Sequence, residues 1–180
     1  GTGWKDHKRE LWELVAVTAT APAPFADNGL KSWTPDLTDA ERSNFASILP
    51  TWWPAADYKS RWQFVPGDLR GETRLMISRT GENQQPTFLT SKLQIPVEPS
   101  SLRFRVANQP GQKWRLVVRI ENQIVYDQVL EDAATSNNWQ EVVVDLTAYA
   151  GRSALATAMH GPVDGQPSEA LWKRIELLKN

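Results

Sequence analysis

The 180-residue chain has no cysteine, two histidines and two methionines. Without cysteine there is no thiol nucleophile, no thiolate-held zinc and no disulfide framework. The same absence says little about compartment, because many exported bacterial proteins also lack cysteine. With only His7 and His160, a histidine-rich metal site cannot be built, and one histidine-based triad is the upper limit. Net charge is lacking too: 20 Lys and Arg stand against 21 Asp and Glu. No global field draws the chain to nucleic acid or to an anionic membrane, and nucleic acid is not an expected partner. There is no run of about 18 apolar residues, so the chain is not expected to be membrane-embedded, and its first residues lack the apolar core of a signal peptide.

What is abundant is tryptophan, at nine residues, and proline, at 12. Tryptophan serves either as large core filler or as a flat binding surface. Proline breaks helices and central strands, which favours short strands joined by many loops. The length suits one domain over 1–180, with 1–13 as an N-terminal extension, and is enough to bury a core without metal or disulfide staples.

The most informative stretch is Trp139 to Gly151. Val142, Val143 and Val144 are β-branched, lose χ1 freedom in a helix and favour a pleated surface. Asp145, Thr147 and Gly151 then supply turn chemistry, so the strand is expected to end near Leu146. The second half of the chain, Ser101 to Leu178, is expected to lie as strands against this one.

Upstream, a short helical turn over Asp6–Trp12 and a strand over Leu14–Thr20 are expected before Ala21-Pro22-Ala23-Pro24 forces an extended exit. Thr38-Asp39-Ala40-Glu41 matches a capping box, predicting one short helix over Ala40–Leu49 that Pro50 ends. Thr51 to Tyr58 reads as an aromatic loop between Pro50 and further chain. Strands follow at Trp62–Val65, Thr73–Ser78 and Phe88–Ile95, with a turn at Pro66-Gly67-Asp68 and a loop from Gly81 to Pro86. Leu102–Val106 alternates apolar and basic residues, and Trp114–Ile120 does the same before Glu121-Asn122-Gln123 reverses it into Ile124–Leu130 as a hairpin. Ala154–Met159 and Leu171–Leu178 complete roughly eight to ten strands, a spacing that suits a sandwich or jelly roll. Val142, Val144, Leu116, Val118, Phe104 and Ile175 are the expected core, with Trp139 at its edge and Trp33 and Trp62 inside.

The succession Ser101-Leu102-Arg103-Phe104-Arg105-Val106, Trp114 to Ile120, Val125-Tyr126, Trp139 to Leu146 with Ala150-Gly151, and Ala170-Leu171-Trp172-Lys173-Arg174-Ile175 resembles galactose-binding-domain-like jelly rolls. These are noncatalytic carbohydrate-binding modules of bacterial glycoside hydrolases and large exported proteins. The resemblance implies an all-β jelly-roll β-sandwich, here with one short helix near 40–49. It also implies ligands held in loops at one end or on one sheet face, often beside a structural calcium, with no other cofactor.

Two groups of residues are candidates for that ligand. Trp52 and Trp53 with Tyr58 form either a platform on which sugar C–H faces stack or a set of rings that plugs the open end of the sandwich. Arg103, Arg105, Arg115 and Arg119 fall on one face if their two strands are neighbours. They then make a basic stripe for an acidic sugar, or a solvated face paired with Glu121, Asp127, Glu141 and Glu176. His160, in Met159-His160-Gly161-Pro162, reads as an exposed loop histidine, since no nucleophile elbow accompanies it. Gly161 to Gly165 and Asn83 offer oxygens to a calcium without matching an EF-hand.

The expected function is a noncatalytic module that binds carbohydrate or packs against a neighbouring domain of a larger exported protein. The alternative is a glycoside hydrolase whose catalytic carboxylates no spacing reveals. The expected location is extracytoplasmic (secreted, periplasmic or cell surface), with the signal peptide absent from this sequence.

Overall fold

A computed structural model describes residues 37–54, 61–80, 85–134 and 136–180. The expected turn over Asp6–Trp12, the strand over Leu14–Thr20, the extension 1–13, and Trp33, Tyr58 and Asn83 lie outside the described residues. Within them the chain runs α1 (Asp39–Ile48), β1 (Trp53–Pro54), β2 (Trp62–Leu69), β3 (Glu72–Arg79), β4 (Thr87–Gln94), β5 (Ser100–Asn108), β6 (Trp114–Ile120), β7 (Gln123–Leu130), β8 (Gln140–Asp145), β9 (Ser153–Gly161) and β10 (Glu169–Lys179). Two five-stranded antiparallel sheets, β1-β4-β9-β6-β7 and β2-β3-β10-β5-β8, pack face to face. This is an all-β sandwich with one helix among the described residues.

The helix starts where its capping box places it: Glu41 N donates to Thr38 Oγ1 at 3.1 Å, and Thr38 N donates to Glu41 Oε1 at 2.8 Å. Phe45 and Ile48 on its inner face are buried. The β6–β7 hairpin also forms as read, reversing at Glu121, which takes a positive φ of 56°. Asp145 ends β8 by accepting from Thr147 N at 3.1 Å and Thr147 Oγ1 at 2.6 Å.

Three expectations change. The expected turn at Pro66-Gly67-Asp68 is part of β2, where the register shifts between Val65 and Asp68. An edge strand with a bulge tolerates a proline that cannot donate to the ladder, and the reversal falls instead at Arg70-Gly71, both at positive φ. The Val142–Val144 strand is an edge: β8 pairs with β5 alone. Val142 and Val144 face the core while Val143, 53% exposed, faces water. The centres of the two sheets are β9 and β10. Finally, the loop from Thr51 is partly a strand, because Trp53 and Pro54 pair with Thr90 and Leu89 of β4.

The interior explains the tryptophan content. On β9 the inward positions are Ala154, Ala156 and Ala158, all buried. Small side chains at the middle of one sheet leave room for large rings from the other. Trp62 and Trp172 lie 5.6 Å apart, Trp172 and Trp114 5.3 Å, and Trp114 and the His160 ring 5.0 Å, in tilted and edge-on arrangements that aromatic quadrupoles favour. Leu116, Val118, Phe104, Val142, Val144 and Ile175 all belong to this core. Trp139 does not sit at its edge. It anchors a second cluster with Leu75, Ile77, Ala107 and Leu171 on the outer face of the β10-centred sheet. The β2–β3 turn reaches that cluster, since Trp139 Nε1 donates to the Arg70 carbonyl at 3.0 Å.

Candidate functional site

The aromatic segment divides between interior and rim. Trp52 is 2% exposed and packs in the core, 6.4 Å from the Phe104 ring. A ring with no accessible face cannot stack on a sugar, so Trp52 plugs the sandwich. Trp53 is half-buried, its ring 6.3 Å from Phe45 of α1. Trp53 therefore keeps part of its surface in water at the rim formed by β1 and α1. Tyr58 lies outside the described residues.

The four arginines do not form one stripe. Arg103 and Arg105 are on β5 and Arg115 and Arg119 on β6, and these consecutive strands cross to opposite sheets. Their outward faces point in opposite directions. Arg105 donates through Nε to Glu72 Oε2 at 3.0 Å and through Nη1 to Glu141 Oε2 at 3.2 Å, with its guanidinium carbon 5.4 Å from the Trp139 ring centroid. It covers the second cluster. Arg115 makes a two-pronged contact with Asp127, 2.7 Å on each oxygen, and hydrogen bonds from Arg115 hold the Asp127 carboxyl below its usual range. Arg103 and Arg119 have no ion-pair partner among the described residues; Arg119 is exposed, and Arg103 is half-buried with its Nε unsatisfied.

His160 is not on an exposed loop. It ends the inward row of β9, is 0% exposed, and stands between Ser78 Oγ, 2.8 Å from Nδ1, and Ser168 Oγ, 2.9 Å from Nε2. Burial, with the Arg61 charge, pushes its pKa down to about 3. A neutral imidazole has one donor and one acceptor, and both are used here. The reach of a serine–histidine pair is present, but substrate access is not.

Asp132 gathers the loops after β5 and β7. It accepts from Gly111 N at 3.0 Å, Asn108 Nδ2 at 2.9 Å and Asn138 Nδ2 at 3.0 Å. These N–H donors, Gly111 foremost, hold its carboxyl below the ordinary range. A carboxylate ringed by donors is a knot for loops, since the same N–H groups repel a cation. In the Gly161–Gly165 loop, Asp164 is exposed on a turn closed by a Val163–Gln166 bridge. Calcium takes six to eight oxygens, and among the described residues no three His, Cys, Asp or Glu side chains converge on one point.

The sequence contained a signal for His160 that its Gly-Pro neighbours hid: counted by twos from Ala154, position 160 is inward. A second feature without a sequence signal lies where β3 and β10 separate. There a pocket of about 360 Å³ opens beside the end of α1, with Arg74, Lys173, Arg174 and Glu176 on its walls and Ile48 and Ile175 in its lining.

No family model and no curated protein matches this sequence. Solved structures do match its fold. The K1 cleaved adhesin domain of Lys-gingipain from Porphyromonas gingivalis W83 aligns with a TM-score of 0.53 at 14% identity, over 72% of this chain and 91% of that one. The K3 cleaved adhesin domain of the same protein gives 0.53 at 17%, over 76% and 96%. TmCBM61, solved in complex with β-1,4-galactotriose, gives 0.50 at 12%, over 76% and 94%. The chain shares the β-sandwich fold of these domains.

Proposed function

We propose that this chain is a noncatalytic binding module of an exported bacterial protein, recognising carbohydrate or packing against a neighbouring domain. The observation that carries the noncatalytic reading is the sealing of Ser78, His160 and Ser168. The serine–histidine contact lies between the sheets with no exposed atom on the imidazole residue. A nucleophile there has no path to a glycoside or an ester. Carboxylates on the outer strands are engaged as well: Glu72 and Glu141 hold Arg105, Glu169 holds Arg79, and Asp127 holds Arg115.

A carbohydrate ligand is supported by the shared fold with a module that holds β-1,4-galactotriose, and a role at a surface by the shared fold with adhesin domains. A location outside the cytoplasm is the reading that both resemblances support. The Trp53 rim and the outer face of the β10-centred sheet are its candidate contact surfaces, with Arg103 on the second and Arg119 on the opposite sheet.

Retention on immobilised polysaccharides, paired with an assay for released reducing ends, tests the reading. Saturable retention without turnover is the expected result. Release of reducing ends at enzymatic rates, ~1 per second or faster, would replace it with the hydrolase.

A further inference from the structure

We propose that the pocket between β3, β10 and α1 binds the anionic group, carboxylate or sulfate, of an acidic polysaccharide. This rests on the reading of the chain as a carbohydrate-binding module and assigns it a site and a ligand class.

Two backbone irregularities open the pocket. The β3–β10 ladder runs only from the Arg79–Glu169 pair to the Met76–Trp172 pair. Beyond it, β10 shifts register between Trp172 and Arg174, and Arg74 of β3 takes a left-handed φ of 60°. A non-glycine residue in that region is strained, and a bulge re-aims the side chains around it. Both distortions bring cations to the wall of one wedge: Arg74 from β3, and Lys173 and Arg174 from β10. Glu176 is the sole carboxylate of the lining against these three cations, with Glu141 and Glu72 just beyond it, 3.8 Å from Arg174 and 3.9 Å from Lys173.

These cations are incompletely neutralised. Arg74 donates to Ser47 Oγ at 2.7 Å and its guanidinium lies 5.5 Å from the Phe64 ring centroid, with no carboxylate partner among the described residues. Arg174 stands 3.5 Å from Glu176 and 3.8 Å from Glu141, longer than a charge-assisted hydrogen bond. Lys173 is spent within the protein, on the Thr73 carbonyl at 2.5 Å, and its charge is partly met by Glu72 at 3.9 Å. Arg74 therefore supplies the planar fork that fits a carboxylate or sulfate, Arg174 can turn to it from loose pairs, and the exposed Pro50 offers apolar surface to a sugar ring above a floor of buried Ile48 and Ile175.

Affinity electrophoresis against polygalacturonate, dextran sulfate and neutral β-1,4-galactan tests this with wild type, Arg74→Met and Arg174→Met, each checked for an unchanged melting transition. The expected result is retardation by at least one acidic polymer, abolished near 1 M salt where the Debye length is about 3 Å, and weakened about tenfold or more in Arg74→Met. Polygalacturonate alone would name a carboxylate, dextran sulfate alone a sulfate. Retardation by galactan but by neither acidic polymer overturns the pocket and leaves the module reading standing. Retardation by none of the three overturns the pocket and the carbohydrate reading together, leaving packing against a neighbouring domain. Binding of an acidic polymer undiminished in both variants places the anion elsewhere and overturns the assignment.

Discussion

Ser78 Oγ of one sheet and His160 Nδ1 of the other stand 2.8 Å apart in the middle of the sandwich. Trp172 Nε1 also donates to Ser78 Oγ at 2.8 Å. Indole can only donate, so the Ser78 hydroxyl is free to give its own proton to Nδ1, which leaves Nε2–H for Ser168. The Trp172–Ser78 bond lies within one sheet, whereas two other indoles bridge the sheets: Trp62 Nε1 to Thr87 Oγ1 at 2.9 Å, and Trp114 Nε1 to the Ala107 carbonyl at 3.2 Å. The polar handles of the core rings thus fix how one sheet sits on the other, where apolar contact alone would permit sliding.

Acid should weaken the fold through His160. Its pKa falls from 6.5 to about 3 on folding. Between those values the unfolded chain binds a proton that the folded chain refuses, so stability drops as pH falls through that window. The expected slope is about 1.4 kcal/mol per pH unit, up to roughly 5 kcal/mol across it. His160→Gln removes this contribution, while the loss from Asp127 and Asp132, whose folded pKa values are lowered, remains in both proteins. Urea midpoints measured at successive pH values should converge between wild type and variant as pH falls; parallel curves would show that His160 is not the group responsible.

Trp52 and Trp53 should respond differently to truncation. Trp52→Ala removes a fully enclosed ring and is expected to cost about 3–5 kcal/mol. Trp53→Ala removes a half-buried one and should cost less than half of that. Equal losses by chemical denaturation would mean that Trp53 is as much a plug as its neighbour.

Leu116→Ala should cost about 2–5 kcal/mol, because the side chain is fully enclosed between the sheets. A shift in the urea midpoint equivalent to less than about 1 kcal/mol would place Leu116 outside the core.

Arg105→Met is expected to act on stability and on Trp139. The arginine is 26% exposed, pairs with Glu72 and Glu141 and covers the indole. Loss of the cation–π contact and partly screened pairs should cost about 1–2 kcal/mol. Trp139 should become accessible to an iodide quencher. Normal stability with loss of ligand binding would instead make Arg105 a contact residue.

The elements readable in the sequence are those fixed by neighbours along the chain. The Thr38–Glu41 capping box and the Trp114–Leu130 hairpin depend on partners a few residues away, and both formed as read. What a period of two cannot state is which sheet a strand joins. Arg105 and Arg115 look equivalent along the chain, yet their strands lie on opposite sheets, so the proposed stripe separates into two faces. His160 was hidden because Gly161-Pro162 marks a loop, whereas β9 continues through Gly161. The pocket at Arg74 arises from a left-handed residue and a bulge, and neither has a residue preference strong enough to be read beforehand.

The two central strands, β9 and β10, are also the last two described in sequence. β4 waits for β9, pairing Leu89 with Ala158, and β3 and β5 both wait for β10, pairing Ile77 and Ala107 with Leu171. On the ribosome, neither five-stranded sheet can close until residues 153–179 have emerged, and the earlier hairpins must stay open-edged until then. Folding of this sandwich is therefore a late and concerted event in its synthesis, limited by long-range closure rather than by local turns. A nascent chain arrested so that β9 and β10 are still in the exit tunnel should be cleaved within β2–β8, whereas one extended past them should be protected there.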